Sequence, residues 1–279
     1  MTETAANTDH VTASTTGPGR AEPPVLEVRG AVKRFGAVTA LGGVDLTLHR
    51  RQVVGLLGDN GAGKSTLIKA ITGVHTLDEG QILLDGEPVS IRTPTEARHH
   101  GIEAVYQDLA LFDNLGIVSN LYLGNELTKP RRFRALGWLD RKAMERDARE
   151  RLEKLQVNVP GFNSQIGLMS GGQRQAVAVA RAVAFASRVL ILDEPTAALG
   201  VRETRNVLDT VSRLPEELDL SVILISHNMD HVVQVCDEAV VMRQGRVVGS
   251  ATPSPDTLQD IVSMIVGATG STSTPPTGQ

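Results

Sequence analysis

The run Val53-Val54-Gly55-Leu56-Leu57-Gly58-Asp59-Asn60-Gly61-Ala62-Gly63-Lys64-Ser65-Thr66 decides the fold. Its first five residues are continuously apolar, as in a strand covered on both faces. A glycine-rich loop follows, and then a helical stretch from Thr66 to Ile71. Strand, loop and helix in this order, with Lys-Ser at the junction, match the pattern of a phosphate-binding loop. Glycines let the backbone curl so that successive amides point inward at phosphate oxygens, and the helix start adds its positive dipole end. Gly58, Asp59, Asn60, Gly61, Ala62, Gly63, Lys64, Ser65 and Thr66 are therefore the expected binding set for a nucleoside triphosphate. Lys64 is expected to pair with the outer phosphates and Ser65 to offer its hydroxyl to Mg²⁺.

A second apolar run, Val189-Leu190-Ile191-Leu192, ends in Asp193-Glu194. A buried strand ending in two carboxylates puts them at the sheet edge where open α/β folds bind ligands. Asp193 is the expected Mg²⁺ holder, and Glu194 the group that orients or deprotonates attacking water. Val222-Ile223-Leu224-Ile225 reads as another buried strand, while Val25 to Val28 and Val44 to Leu48 alternate like half-buried ones. Strands separated by helical patterns imply a parallel sheet covered by helices. Leu139 to Leu155 is charged and helix-prone, with Met144, Ala148, Leu152 and Leu155 at helical spacing. This segment is expected to lie in a mostly helical insert over about residues 109–163.

Residues 1–24 and 268–279 are rich in Thr, Ser, Pro and Gly without hydrophobic period, and are expected to be disordered extensions of one folded body over 25–267. No internal repeat is visible. The 279 residues are 41% hydrophobic and 22% charged, and 28 Lys plus Arg against 32 Asp plus Glu leave a net charge of −4. That balance lacks the basic excess of a general nucleic-acid binder, and Arg131, Arg132 and Arg134 read as a solvated loop. The single cysteine, Cys236, excludes an internal disulfide, sits among valines like a buried structural thiol and fits a reducing cytoplasm. The most apolar region, Ala176 to Leu192, is broken by Arg181 and Arg188 and falls short of a membrane span. No secretory signal is legible at the N-terminus.

Met169-Ser170-Gly171-Gly172-Gln173, with Arg174-Gln175 and the helical Ala176 to Ala186 behind it, resembles the signature of the ATP-binding-cassette family, with Met for the usual Leu. The resemblance covers roughly Val25 to Gly267. It implies an α/β phosphate-loop fold with a mixed sheet core, an antiparallel β subdomain and an inserted helical subdomain. It also implies ATP and Mg²⁺ as ligands. Ser170, Gly171, Gly172 and Gln173 would grip the γ-phosphate of ATP held by a second copy of the chain, because a cassette's signature lies far from its own loop. His227 resembles the switch histidine that holds Glu194 and the water, and Gln107 the glutamine that reaches Mg²⁺ and links core to insert. Phe35, before Gly36, stands where the family stacks an aromatic on adenine. Gly200 departs from the Asp often found after Pro195-Thr196-Ala197-Ala198-Leu199, at the expected interface between copies.

Thr93-Pro94, Tyr106 to Leu111, Asn120 to Leu127 and Ile225 to Met229 are most similar to cassettes of monosaccharide importers, here in single-cassette form. The implied partners are an integral-membrane permease and, indirectly, a substrate-binding protein. The implied location is the cytoplasmic face of the cell membrane. An exporter ATPase, or a soluble cassette outside transport, is the alternative.

Overall fold

The architecture is that of a computed structural model, which describes residues 22–129, 138–154, 161–162, 164–197 and 199–267. The expected disorder of 1–21 and 268–279, the Arg131–Arg134 loop, Leu155 and Ala198 lie outside the described residues. Two long strands open the body, β1 (Leu26–Phe35) and β2 (Val38–Leu48), followed by β3 (Val53–Leu57) and helix α1 (Lys64–Ile71). Next come β4 (Glu79–Leu84), β5 (Glu87–Val89), α2 (Pro94–His99) and β6 (Ile102–Val105). Helices α3 (Ile117–Leu121), α4 (Arg141–Lys154) and α5 (Gly171–Phe185) precede β7 (Val189–Asp193) and α6 (Val201–Leu218). The chain continues through β8 (Ser221–Ile225), α7 (Met229–Val235), β9 (Glu238–Arg243), β10 (Arg246–Ala251) and α8 (Leu258–Val266).

Two sheets result. An antiparallel sheet has the order β2-β1-β4-β5, and a mixed sheet has the order β10-β9-β3-β8-β7-β6. In the second, every pairing is parallel except the edge hairpin β9–β10. The continuous apolar runs are explained by burial on both faces. In β3, Val53 and Leu57 face one core while Val54 and Leu56 face another, and β7, β8 and β9 divide in the same way. The first core is closed by α3 to α7 and includes Met144, Ala148 and Leu152 at their predicted helical spacing. The second core lies between the two sheets and takes in Leu67, Ile68 and Ile71 of α1.

This alternation also aims the acid at the end of β7. Asp193 follows the parity of Val189 and Ile191, so it belongs to the face that α1 covers. Cys236 is buried, as expected; burial pushes its thiol up to about 12, and its sulfur lies 3.1 Å from where a Cβ on Gly55 would stand. No helix among the described residues is long and apolar enough to cross a membrane.

Candidate functional site

The loop between β3 and α1 needs its glycines for two reasons. Gly58, Gly61 and Gly63 have φ of 142°, 82° and 103°, values an L side chain rarely adopts. A Cβ on Gly58 would also stand 2.1 Å from the Met242 carbonyl oxygen, and one on Gly63 2.8 Å from that of Ala40. The loop is thus pressed between the mixed sheet and the antiparallel one. Backbone bonds lock it there: the Gly245 amide donates to Ala62 O at 2.9 Å, and the Gly42 amide to Gly245 O at 2.8 Å. Gly63 caps α1 without a side-chain bond, so no side chain competes for the first amides of that helix. Ser65 is exposed on this turn and Thr66 is half-buried.

Lys64 Nζ donates to Gly58 O at 2.6 Å and to Asp59 O at 3.0 Å, which holds the ammonium against the loop. Burial pulls its pKa below the ordinary lysine value, against the opposing pull of Glu194, Asp193 and Asp59. Asp193 shows the complementary effect. Burial raises its pKa first, the neighbouring Glu194 charge adds to the rise, and Lys64 and Lys69 oppose it. A half-buried ammonium among three carboxylates, with its pKa and that of Asp193 both displaced, is the electrostatic environment in which functional groups concentrate.

Glu194 sits just past β7 with φ 51°, a left-handed conformation that costs a non-glycine residue about 1 kcal/mol. Its amide donates to Ile225 O at 3.0 Å, extending the β7–β8 pairing by one residue before the chain turns. His227, 77% exposed, brings Nδ1 to 2.8 Å from Glu194 Oε1. The sequence-expected pair is therefore in direct contact. Gln107 is exposed two residues beyond β6, whose Val105 pairs with Leu192, so it stands at the same sheet edge as Asp193.

Ser170 is the N-cap of α5 in a reciprocal capping box: Gln173 N donates to Ser170 Oγ at 3.3 Å, and Ser170 N to Gln173 Oε1 at 3.0 Å. Among the described residues no hydrogen bond joins Ser170, Gly171, Gly172 or Gln173 to residues 58–66. The structure thus assembles Lys64, Asp193, Glu194 and His227 but leaves the Ser170 motif as a separate helix start. Phe35, 45% exposed, is not a core residue. It closes the β1–β2 hairpin with His75 edge-on at 5.1 Å and Lys33 Nζ at 5.6 Å from its centroid.

A family profile described as ABC transporter matches residues 41–197, more than half of the chain. The chain belongs to the ABC transporter family. The cassette is 48% identical over 253 residues to the fructose import ATP-binding protein FrcA of Rhizobium meliloti, covering 89% of this chain and 96% of that protein. It is 44% identical to the xylose/arabinose import ATP-binding protein XylG of Sulfolobus acidocaldarius, over 80% of this chain and 86% of the relative. The ribose import ATP-binding protein RbsA 1 of Rubrobacter xylanophilus is 46% identical over 88% of this chain, which spans only 47% of that relative. Among solved structures, a nucleotide-free ATP-binding cassette from an ABC transporter superposes with a TM-score of 0.75 at 25% identity, over 87% of this chain and 97% of the other.

Two features of the cassette were not legible beforehand. Gly200, the departure noted at the end of the Pro195 to Leu199 segment, caps α6, and a Cβ there would stand 2.7 Å from Glu203 Oε2. The same Glu203 side chain lies 2.5 Å from where a Cβ on Gly172 would stand, so one glutamate packs against both helix starts. His231, on α7, brings Nδ1 to 3.2 Å from Thr196 Oγ1. Neither residue belongs to a contiguous motif, and both contacts depend on tertiary packing.

Proposed function

We propose that this cassette binds and hydrolyses ATP to drive import of a simple sugar through a separate membrane permease. The observation that carries the chemistry is the Glu194–His227 contact beside the Lys64 loop. Glu194 accepts a proton from the attacking water while the imidazole fixes one carboxylate oxygen at 2.8 Å. Lys64 exchanges its two carbonyl contacts for phosphate oxygens, and the loop amides supply the remaining bonds. Phe35 offers an exposed ring for the adenine.

Mg²⁺ fits the donor set. Ser65, Asp193 and Gln107 give one hydroxyl, one carboxylate and one amide, a set suited to an ion that keeps waters and takes phosphate oxygens. When bound, it neutralises charge on the phosphates. Among the described residues no group of three or more His, Cys, Asp or Glu forms a metal cage.

Ser170, Gly171, Gly172 and Gln173 act on the ATP of a second copy, giving a head-to-tail dimer. Their separate position in one chain supports this reading. The insert expected over residues 109–163 docks on the permease. Phe112, Leu123, Leu127 and Trp138 are exposed on it, and Gln107 stands where it leaves the sheet. The cassette works at the cytoplasmic membrane face, and the sugar-import names of its relatives favour uptake over export.

The test is uptake in cells deleted for this chain. Wild type should restore ATP-dependent uptake of a monosaccharide, and Glu194→Gln should not. The purified Glu194→Gln chain should retain ATP, hydrolyse it at least about 100-fold more slowly and elute as a dimer only with ATP. Wild-type turnover in that variant would remove Glu194 from the reaction, and unimpaired sugar uptake in the deletion strain would remove the transport assignment.

A further inference from the structure

Helix α7 and the residue just before its N-cap touch the turn that carries Glu194 at two points. The His227 ring meets the Glu194 carboxylate, and one helical turn later the His231 ring meets the Thr196 hydroxyl. Both histidines are set by one fixed helix start, since the Asn228 side chain caps α7 by accepting from Asp230 N at 2.9 Å. Thr196 is buried, and burial also lowers the pKa of His231, which disfavours the charged ring beside the hydroxyl. Between the two contacts lies a backbone held in the left-handed region at Glu194. Such a conformation persists only where its surroundings hold both ends. The Ile225 carbonyl holds the upstream end through the Glu194 amide. Downstream, the Ala197 amide donates to the Glu194 carbonyl at 3.3 Å, and the Thr196 hydroxyl between them meets the His231 ring.

From this we infer that His231 is a positioning residue for hydrolysis: through Thr196 it locks the turn that aims the Glu194 carboxylate. It acts through its contact with the turn, and the inference rests on the reading of Glu194 above. Losing the anchor lets the strained turn relax, and a misplacement on the order of 1 Å costs up to about 100-fold in rate. The phosphate loop is untouched, so ATP binding is retained.

Steady-state ATPase kinetics on the full chain test this. His231→Ala and Thr196→Val should each lower kcat about 5- to 20-fold with KM for ATP within about twofold. The double variant should fall no further than either single one, because both remove the same contact. Thr196→Ser, which keeps the hydroxyl, and His231→Asn, which offers a polar atom near the place of Nδ1, should regain most of the rate. Unchanged kcat in Thr196→Val would overturn the anchor, as would losses that multiply in the double variant. A Thr196→Ser chain as slow as Thr196→Val would do the same. If Glu194→Gln turns over at the wild-type rate, the site reading beneath the anchor fails instead.

Discussion

Replacing Lys64 by alanine separates ligand binding from fold stability, and the structure sets the size of both effects. In the chain without nucleotide, Lys64 donates one part-buried and one exposed hydrogen bond to loop carbonyls and offsets the charges of Asp59, Asp193 and Glu194. Burial opposes those gains, as the downward pull on its pKa records. Burial outweighs the charge attraction in this balance, and the partly solvated setting screens both, so the substitution should change unfolding free energy by no more than about 1 kcal/mol. Nucleotide binding has no such offset. Charge-assisted bonds to phosphate are worth about 1.5–3 kcal/mol each, and a lysine making two of them supplies about 3–6 kcal/mol. Giving up the two carbonyl contacts returns about 1–2 kcal/mol of this, leaving roughly 2–4 kcal/mol, or about 30- to 1,000-fold in affinity. Calorimetric titration with Mg-ATP in a Glu194→Gln background, where turnover is suppressed, reads the affinity directly. Thermal melts without nucleotide supply the control. An affinity within threefold of the parent, in a chain that melts normally, would refute the assignment of Lys64 to the phosphates.

Two further substitutions probe the frame of the site. Gly58→Ala places a Cβ 2.1 Å from the Met242 carbonyl in a backbone at φ 142°, so it should destabilise by about 3 kcal/mol or more and lower the Tm by roughly 6–12 °C; a melt within about 2 °C of wild type would show that the loop can move away from β9. Asp193→Asn should raise the Tm at pH 7, because burial and Glu194 disfavour the ionised carboxyl in the folded chain. A carboxyl whose folded pKa is raised stabilises fully below its unfolded pKa of about 4 and loses that contribution as pH rises through the folded value. The gain from asparagine should therefore fade as pH falls through the raised folded value towards about 4 and be absent below it, and a gain constant with pH would point to packing rather than charge.

The parts that could be read from the sequence share one physical property: their pattern is contiguous and their environment uniform. Strands β3, β7 and β8 are buried on both faces, so each appears as an unbroken apolar run with bounds right to within a residue. Strand β1 was legible only over its first residues. Beyond Val28 its pairing with β2 is interrupted by irregularities, which erase the two-residue period. Strand β10 has no fully buried residue, and α6 carries Pro215 in its interior, a residue that ordinarily marks the end of a helix. Pro215 is buried and lies three residues before the helix ends at Leu218.

The site divides along the same line. Gly58 to Thr66 and Asp193-Glu194 are local sequences whose chemistry follows from their own spacing, and they occupy one sheet edge because consecutive parallel strands end together. His227 lies one strand away, yet its distance from Glu194 is still fixed by the β7–β8 register, which pairs Asp193 with Ile225. His231 and Glu203 are different. Their partners are set by how helices α7 and α6 sit on the sheet, and a threonine 35 residues from a histidine leaves no periodic trace. Candidate catalytic groups can thus be read from motifs, while the contacts around a strained backbone such as that of Glu194 require the packed structure. Glu194 joins the two classes: its carboxylate is legible from the strand it ends, and its left-handed backbone is not, because that conformation accompanies the tertiary bond of its amide to Ile225 O and the turn that Ala197 closes behind it.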